Sequence, residues 1–129
     1  MAPARFKDLA LDAVDHLALA DWWCAALGYQ RRHQEGNGHW PADWPVPIHD
    51  PLGEGPLIWI NPVPEAKAGK NRMHLDVWGD TAELLALGAT LLRRSGGATE
   101  SWDVLADPEG NEFCVFPPEP PPVVRTSVR

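Results

Sequence analysis

ALGYQRR at residues 26–32 returns in the second half of the chain as ALGATLLRR at residues 86–94. Each copy reads as a helix end, a glycine suited to the left-handed residue that closes a helix, and a strand ending on two arginines. Upstream of the first copy, RFKDLALDAV at residues 5–14 alternates. Leu9, Leu11 and Ala13 fall on one face and Asp8, Ala10 and Asp12 on the other, the pattern of a half-buried strand. Asp15 offers a helix N-cap. HLALADWWCAALG follows, with Leu19, Trp23, Ala26 and Leu27 at helical spacing and Gly28 at its end. YQRRHQ at 29–34 reads as a strand. Residues 35–55 are dense in glycine and proline, so they read as loop with room for one edge strand. PLIWIN at 56–61 is a short apolar strand, and residues 62–70 form a linker.

The same order then starts again. RMHLDVW at 72–78 alternates as a strand. Asp80 caps a helix over TAELLAL at 81–87, with Glu83 at the third position of a capping box. ATLLRR at 89–94 is a strand and SGG at 95–97 a turn. SWDVLAD at 101–107 and NEFCVF at 111–116 are strands joined by the PEG turn at 108–110. Two copies imply a pseudo-symmetric pair of modules rather than a solenoid, which needs more repeats. The expected fold class is α+β: two βαβββ modules forming a curved, cup-shaped mixed sheet with the helices outside. One domain spans 1–117, with module one over about 5–61, module two over about 72–117, and a proline-rich extended tail at 118–129.

The totals set outer limits. A chain of 129 residues, 44% hydrophobic and 22% charged, can bury one sizeable core. Its formal charge of −7 argues against nucleic acid or anionic membrane as a partner. No apolar run approaches the roughly 20 residues that cross a bilayer, and the first residues lack the apolar core of a secretion signal. Two cysteines, Cys24 and Cys114, are too few for a disulfide framework, which points to a reducing cytoplasm. Seven tryptophans are costly to expose, so several should line a core or a pocket.

Alternation in KNRMHLDVW at 70–78 puts Arg72, His74, Asp76 and Trp78 on one side of a strand, facing a cleft. Met73, Leu75 and Val77 take the other side, beneath the helix. The imidazole of His74 suits acid/base work, hydrogen bonding or metal ligation. Asp8 and Asp12 face inward as well. A half-enclosed carboxylate without a partner has a raised pKa and can act as a base; one paired with a basic neighbour is structural. Trp59 shares a face with Asn61, and Trp78 with His74, which is the make-up of an aromatic-walled pocket. Glu112 and Cys114 point the same way on the last strand. Trp22 and Trp23 read as core. Trp40 and Trp44 lie in the loop at 36–55, whose length allows a lid. Lys67, Lys70 and Arg72 read as a solvated basic run.

DWWCAALGY at 21–29, VPEAKAGKNRMHLDV at 63–77 and DPEGNEFCVF at 107–116 resemble the vicinal oxygen chelate superfamily, which includes glyoxalase I, extradiol dioxygenases and bleomycin-resistance proteins. The likeness is greatest to its bacterial glyoxalase-like domain branch and covers about residues 5 to 117. It implies a homodimer and, in metal-dependent members, four ligands on the inner face. The matching places are Asp8, Asn61, His74 and Cys114. The superfamily usually has His or Glu there, so His74 alone matches in type. A divalent ion (Zn, Ni, Mn or Fe) is the implied cofactor.

Two functional readings follow. One is a glyoxalase-like enzyme that binds a small oxygen-bearing organic molecule in the cup, with lyase, isomerase or oxygenase chemistry. His74 and Asp8 would be the catalytic groups, and Asn61, Trp59, Trp78, Asp76, Arg72 and Glu112 would contact substrate. The other is a non-catalytic protein that sequesters an antibiotic or aromatic metabolite.

Overall fold

The first helix begins where Asp15 accepts a hydrogen bond from the Ala18 amide, 3.2 Å away, and ends at Gly28, whose φ of 75° is left-handed. A side chain at Gly28 would be strained in that conformation. Between these caps, α1 spans His16–Leu27 and buries His16, Leu19, Ala20 and Trp23 along one stripe, with Trp22 edge-on to Trp23. The computed structural model describes residues 2–32, 41–95 and 102–118. The expected lid tryptophan Trp40, most of the 95–97 turn and nearly all of the tail lie outside them.

The chain divides into two compact units. One is built on the residues up to Gly69 together with Pro108–Gly110; the other runs over Lys70–Asp107 and from Asn111 onward. In the first, β1 (Leu9–Ala13), β2 (Gln30–Arg31), β3 (Val46–His49) and β4 (Ile58–Pro62) form a mixed sheet in the order β1-β4-β3-β2. The outer pair β1 and β4 is parallel, and the other pairs are antiparallel. The register sets Leu9 beside Ile58 and Leu11 beside Ile60, while Val46 and Ile48 face Ile60 and Ile58. One apolar face results, and α1 packs on it. Trp23, Leu19, Ile48 and Ile60 are the largest side chains sealed there. Each such side chain contributes on the order of 2 kcal/mol of burial free energy.

The second unit repeats this order. Strands β5 (Leu75–Trp78), β6 (Thr90–Arg93), β7 (Asp103–Ala106) and β8 (Glu112–Phe116) run β5-β8-β7-β6, with β5 and β8 parallel. Helix α2 (Thr81–Leu87) starts at Asp80, whose carboxylate accepts the Glu83 amide at 3.0 Å. Leu105 and Phe113 are sealed, Val115 is buried, and Leu84 of α2 is buried with them. The α+β class and the twice-used βαβββ order are therefore both present.

Three local expectations are corrected. The strand read at 5–14 is confined to Leu9–Ala13, and the one read at 72–78 begins at Leu75. Arg72 and Met73 form a bend ahead of it, and Met73 is 82% exposed instead of lying beneath α2. Alternation governs a side chain once its backbone is in the ladder, and β8 offers partners to Leu75–Trp78 alone. The third correction is β3, an inner strand rather than an edge, despite Pro47. The Pro47 carbonyl accepts the Arg32 amide at 2.9 Å. A strand residue aims its N–H and C=O the same way, so the missing donor falls beside β2, where that two-residue strand ends. The ladder to β4 is untouched. Residues 46–49, within the segment read as loop at 36–55, are thus part of the sheet.

Candidate functional site

Each sheet has one face under its helix and one open face. On the open face of the second sheet, His74 stands one residue ahead of β5 and Asp76 follows at the alternate position. Asp76 is paired with Cys114 of β8 in the ladder. His74 Nδ1 lies 3.1 Å from Asp76 Oδ1 and 3.8 Å from Cys114 Sγ. The three ligand-capable atoms all fall within 4.8 Å of one another. His74 and Asp76 are open to solvent, with side chains 38% and 56% exposed, while Cys114 is buried at their base. Burial pushes the Cys114 thiol above its usual range, and the adjacent Asp76 charge pushes the same way.

These donors fit a divalent ion. A tetrahedral zinc-like centre with metal–nitrogen and metal–oxygen bonds near 2.0 Å and a metal–sulfur bond near 2.3 Å sets its nitrogen and oxygen about 3.3 Å apart, and its nitrogen and sulfur about 3.5 Å. The observed 3.1 and 3.8 Å lie close to both separations. Three protein donors with a solvent-facing side leave a position for an outside oxygen.

Next to the donors is an aromatic row. Trp78 of β5 meets Phe116 of β8 edge-on at 6.1 Å, and Trp102 stacks on Phe116 at 5.5 Å and 30°. Phe116 is two residues beyond Cys114 on the same strand, so the row begins about 7 Å from the thiol at ordinary strand rise. Trp78 is 59% exposed, an unusual setting for an indole. The row and the donors share one face because Trp78 pairs with Phe116 as Asp76 pairs with Cys114.

The first sheet is different. Asp8 accepts hydrogen bonds from Lys7 Nζ at 2.8 Å and from Trp59 Nε1 at 3.0 Å. The Lys7 contact dominates in holding its carboxyl below the ordinary value, with Trp59 adding to it. Of the two readings of Asp8, a lone carboxylate raised in pKa or one paired with a basic neighbour, the paired arrangement is the one present. Asn61 donates to Asp12 at 3.3 Å, two residues along from the Asp8–Trp59 pair.

Other expected site residues have local duties. Glu112 accepts the Asn71 amide at 3.0 Å, which steadies the approach to His74. Arg72 lies in the exposed bend. Lys67 closes onto the Gly69 carbonyl. Trp44 is half exposed, and its carbonyl bonds the buried His16 at 3.0 Å. A cavity of about 380 Å3 opens beside the start of α2, but both oxygens of its Asp103 are taken by Thr81 Oγ1 and the Ser95 amide, each at 2.7 Å. Phe116 of the aromatic row also lines this cavity, whereas His74, Asp76 and Cys114 do not. The sequence reading places Asp76 beside substrate rather than among the metal donors, and it passes over Phe116. The spacings His74-x-Asp76 and Cys114-x-Phe116 are the signals for both.

Known proteins share this architecture. Residues 8–116 match the family model described as a glyoxalase-like domain. No curated protein matches the chain. Among solved structures, a glyoxalase/bleomycin resistance protein/dioxygenase family enzyme from Burkholderia phytofirmans PsJN is similar at 20% identity, covering 83% of this chain and 93% of that one, with a TM-score of 0.59. The fosfomycin resistance protein FosX from Listeria monocytogenes is similar at 12% identity, covering 92% and 94%, with a TM-score of 0.66. A mutant form of the same FosX, also 12% identical with coverage of 92% and 95% and a TM-score of 0.66, is complexed with Mn(II) and 1S,2S-dihydroxypropylphosphonic acid. Such identities establish shared fold. With two sheets of βαβββ order and a family match over residues 8–116, the chain belongs to the glyoxalase-like domain family.

Proposed function

We propose that the protein is an enzyme acting on a small, flat organic molecule that carries an oxygen donor, bound over the open face of the second sheet. The observation that carries this reading is three unlike donor atoms within 4.8 Å of one another, set beside an aromatic row. Trp78, Phe116 and Trp102 supply apolar contact for a ring or hydrocarbon body. His74, Asp76 and Cys114 would hold a divalent ion at the polar end. When bound, that ion supplies Lewis-acid stabilisation to a substrate oxygen. Without an ion, Asp76 holds the imidazole of His74 by a 3.1 Å contact at Nδ1, the nitrogen that would ligate the ion beside the Asp76 carboxylate. Asp8, already paired with Lys7 and Trp59, serves as a fixed negative charge rather than a proton acceptor. The Mn(II) complex of FosX supports a metal-bearing relative on this fold. Both cysteines are free, in keeping with a reducing compartment.

A second reading has its own support. The buried, protonation-favouring setting of Cys114 suits a metal-free binding protein that grips its ligand on the aromatic row. Metal content after chelator-free purification, together with indole quenching by a panel of aromatic and phosphonate-bearing small molecules, separates the two. The enzyme reading expects about one divalent ion per chain and consumption of at least one quenching ligand. Quenching without consumption, and no bound ion, would leave the sequestering reading in its place.

A further inference from the structure

The strand β8 position that touches His74 carries a thiol where the superfamily usually has a hard oxygen or an imidazole, and this bears on which ion the centre takes. Resting on the metal reading above, we infer that the second unit alone builds a nitrogen–oxygen–sulfur centre selective for thiophilic divalent ions such as Zn(II) or Co(II), with Cys114 as the selecting ligand.

Three observations lead there. First, two of the three donors come from paired strands of one sheet, and the third stands one residue ahead of the first of them. Asp76 lies directly across the ladder from Cys114, and His74 stands two residues from Asp76. The Asp76–Cys114 spacing is therefore set by strand register, a rigid element, and His74 adjoins the first residue of that ladder. Second, Sγ lies 3.8 Å from His74 Nδ1, within the span that one shared ion needs. Third, a soft sulfur beside one imidazole and one carboxylate favours zinc-like ions, whereas manganese and magnesium prefer oxygen-rich sets. Asp76 supplies a carboxylate from within this unit, so the donor set reaches three without Asp8 or Asn61. Asp8 is engaged by Lys7 and Trp59, and Asn61 by Asp12.

The test uses the full chain loaded with Co(II) and read by near-ultraviolet absorption. A sulfur-to-cobalt charge-transfer band is expected in the wild type and in Asp8→Ala, and its loss is expected in Cys114→Ser. Competition between Zn(II) and Mn(II) supplies the second readout. Every nitrogen–oxygen–sulfur site prefers zinc to some degree, so the informative quantity is the change in the Zn-to-Mn affinity ratio. Cys114→Asp should lower that ratio by at least about tenfold, and Cys114→Ser should weaken Zn(II) by more than the roughly 10–100-fold typical of losing a supporting residue. The wild-type spectrum requires no variant to fold. Co(II) bound without the sulfur band, or an unchanged ratio in Cys114→Asp, overturns the thiophilic assignment while leaving a metal centre standing. Failure of every divalent ion to bind overturns the assignment together with the metal reading beneath it.

Discussion

Asp8 and His74 occupy matched places, each one residue ahead of the first strand of its sheet, yet their neighbours differ. Following the parallel ladders, Leu9 pairs with Ile58 as Leu75 pairs with Phe113, so Trp59 in the first sheet corresponds to Cys114 in the second. In the first sheet the matched pair is a carboxylate tied to an indole N–H and an ammonium. In the second it is an imidazole beside a thiol, with a further carboxylate across the ladder. The same backbone frame thus holds a closed, fully engaged pair in one unit and three converging donors in the other. The cores differ in the opposite sense. The first unit has a 12-residue helix with two buried tryptophans, and the second a 7-residue helix with one buried leucine. Among the described residues, the larger helix core lies in one unit and the cluster of donors able to bind an ion in the other.

The largest effect that sharpens this contrast is on stability. Trp23→Ala, in the sealed core under α1, should cost about 3–5 kcal/mol, and Leu84→Ala, at the thinner α2 contact, about 2 kcal/mol. Urea unfolding followed by far-UV circular dichroism measures both. Equal losses would break the picture of an uneven core. Next comes the donor contrast. His74→Ala should lower Zn(II) affinity more than about 100-fold, while Asp8→Ala at the matched position should leave it within about threefold. Chelator competition reads this, and parity between the two variants would remove the distinction between the units.

The smallest effect concerns pH. The Thr81 hydroxyl is the main group holding the Asp103 carboxyl below its ordinary value of 3.8, and the Ser95 amide assists it. A carboxyl depressed on folding stabilises the fold above its unfolded pKa and loses that contribution as pH falls through the lower folded value. The gap in urea midpoint between wild type and Thr81→Val should therefore be constant near pH 6 and shrink below pH about 4. A gap that widens on acidification would show the linkage to have the other sign. Asp8, depressed chiefly by Lys7, should behave likewise in the first unit, and Lys7→Met tests it.

Much of this could be read along the chain because alternation and capping are local. Asp15, Gly28 and Asp80 mark helix ends through bonds that reach no further than a turn. The alternation of His74, Asp76 and Trp78 put these side chains on the open face for the same local reason. Arg72 and Met73 broke the pattern because no neighbouring strand holds that stretch. Pro47 suggested an edge, whereas what counts is the side on which its missing donor falls, and the position of β2 decides that.

The amino-acid sequence by itself determined the twofold βαβββ order, the helix ends and which strand residues share a face, because each follows from the conformational periodicity of a short segment. The ladder register decided the rest. Pairing set Cys114 across from Asp76, matched it to Trp59 rather than Asn61, and drew Phe116 between Trp78 and Trp102. Those are relations between strands remote in sequence, and they are fixed when whole apolar faces are buried together, a sum over many side chains that no single stretch encodes.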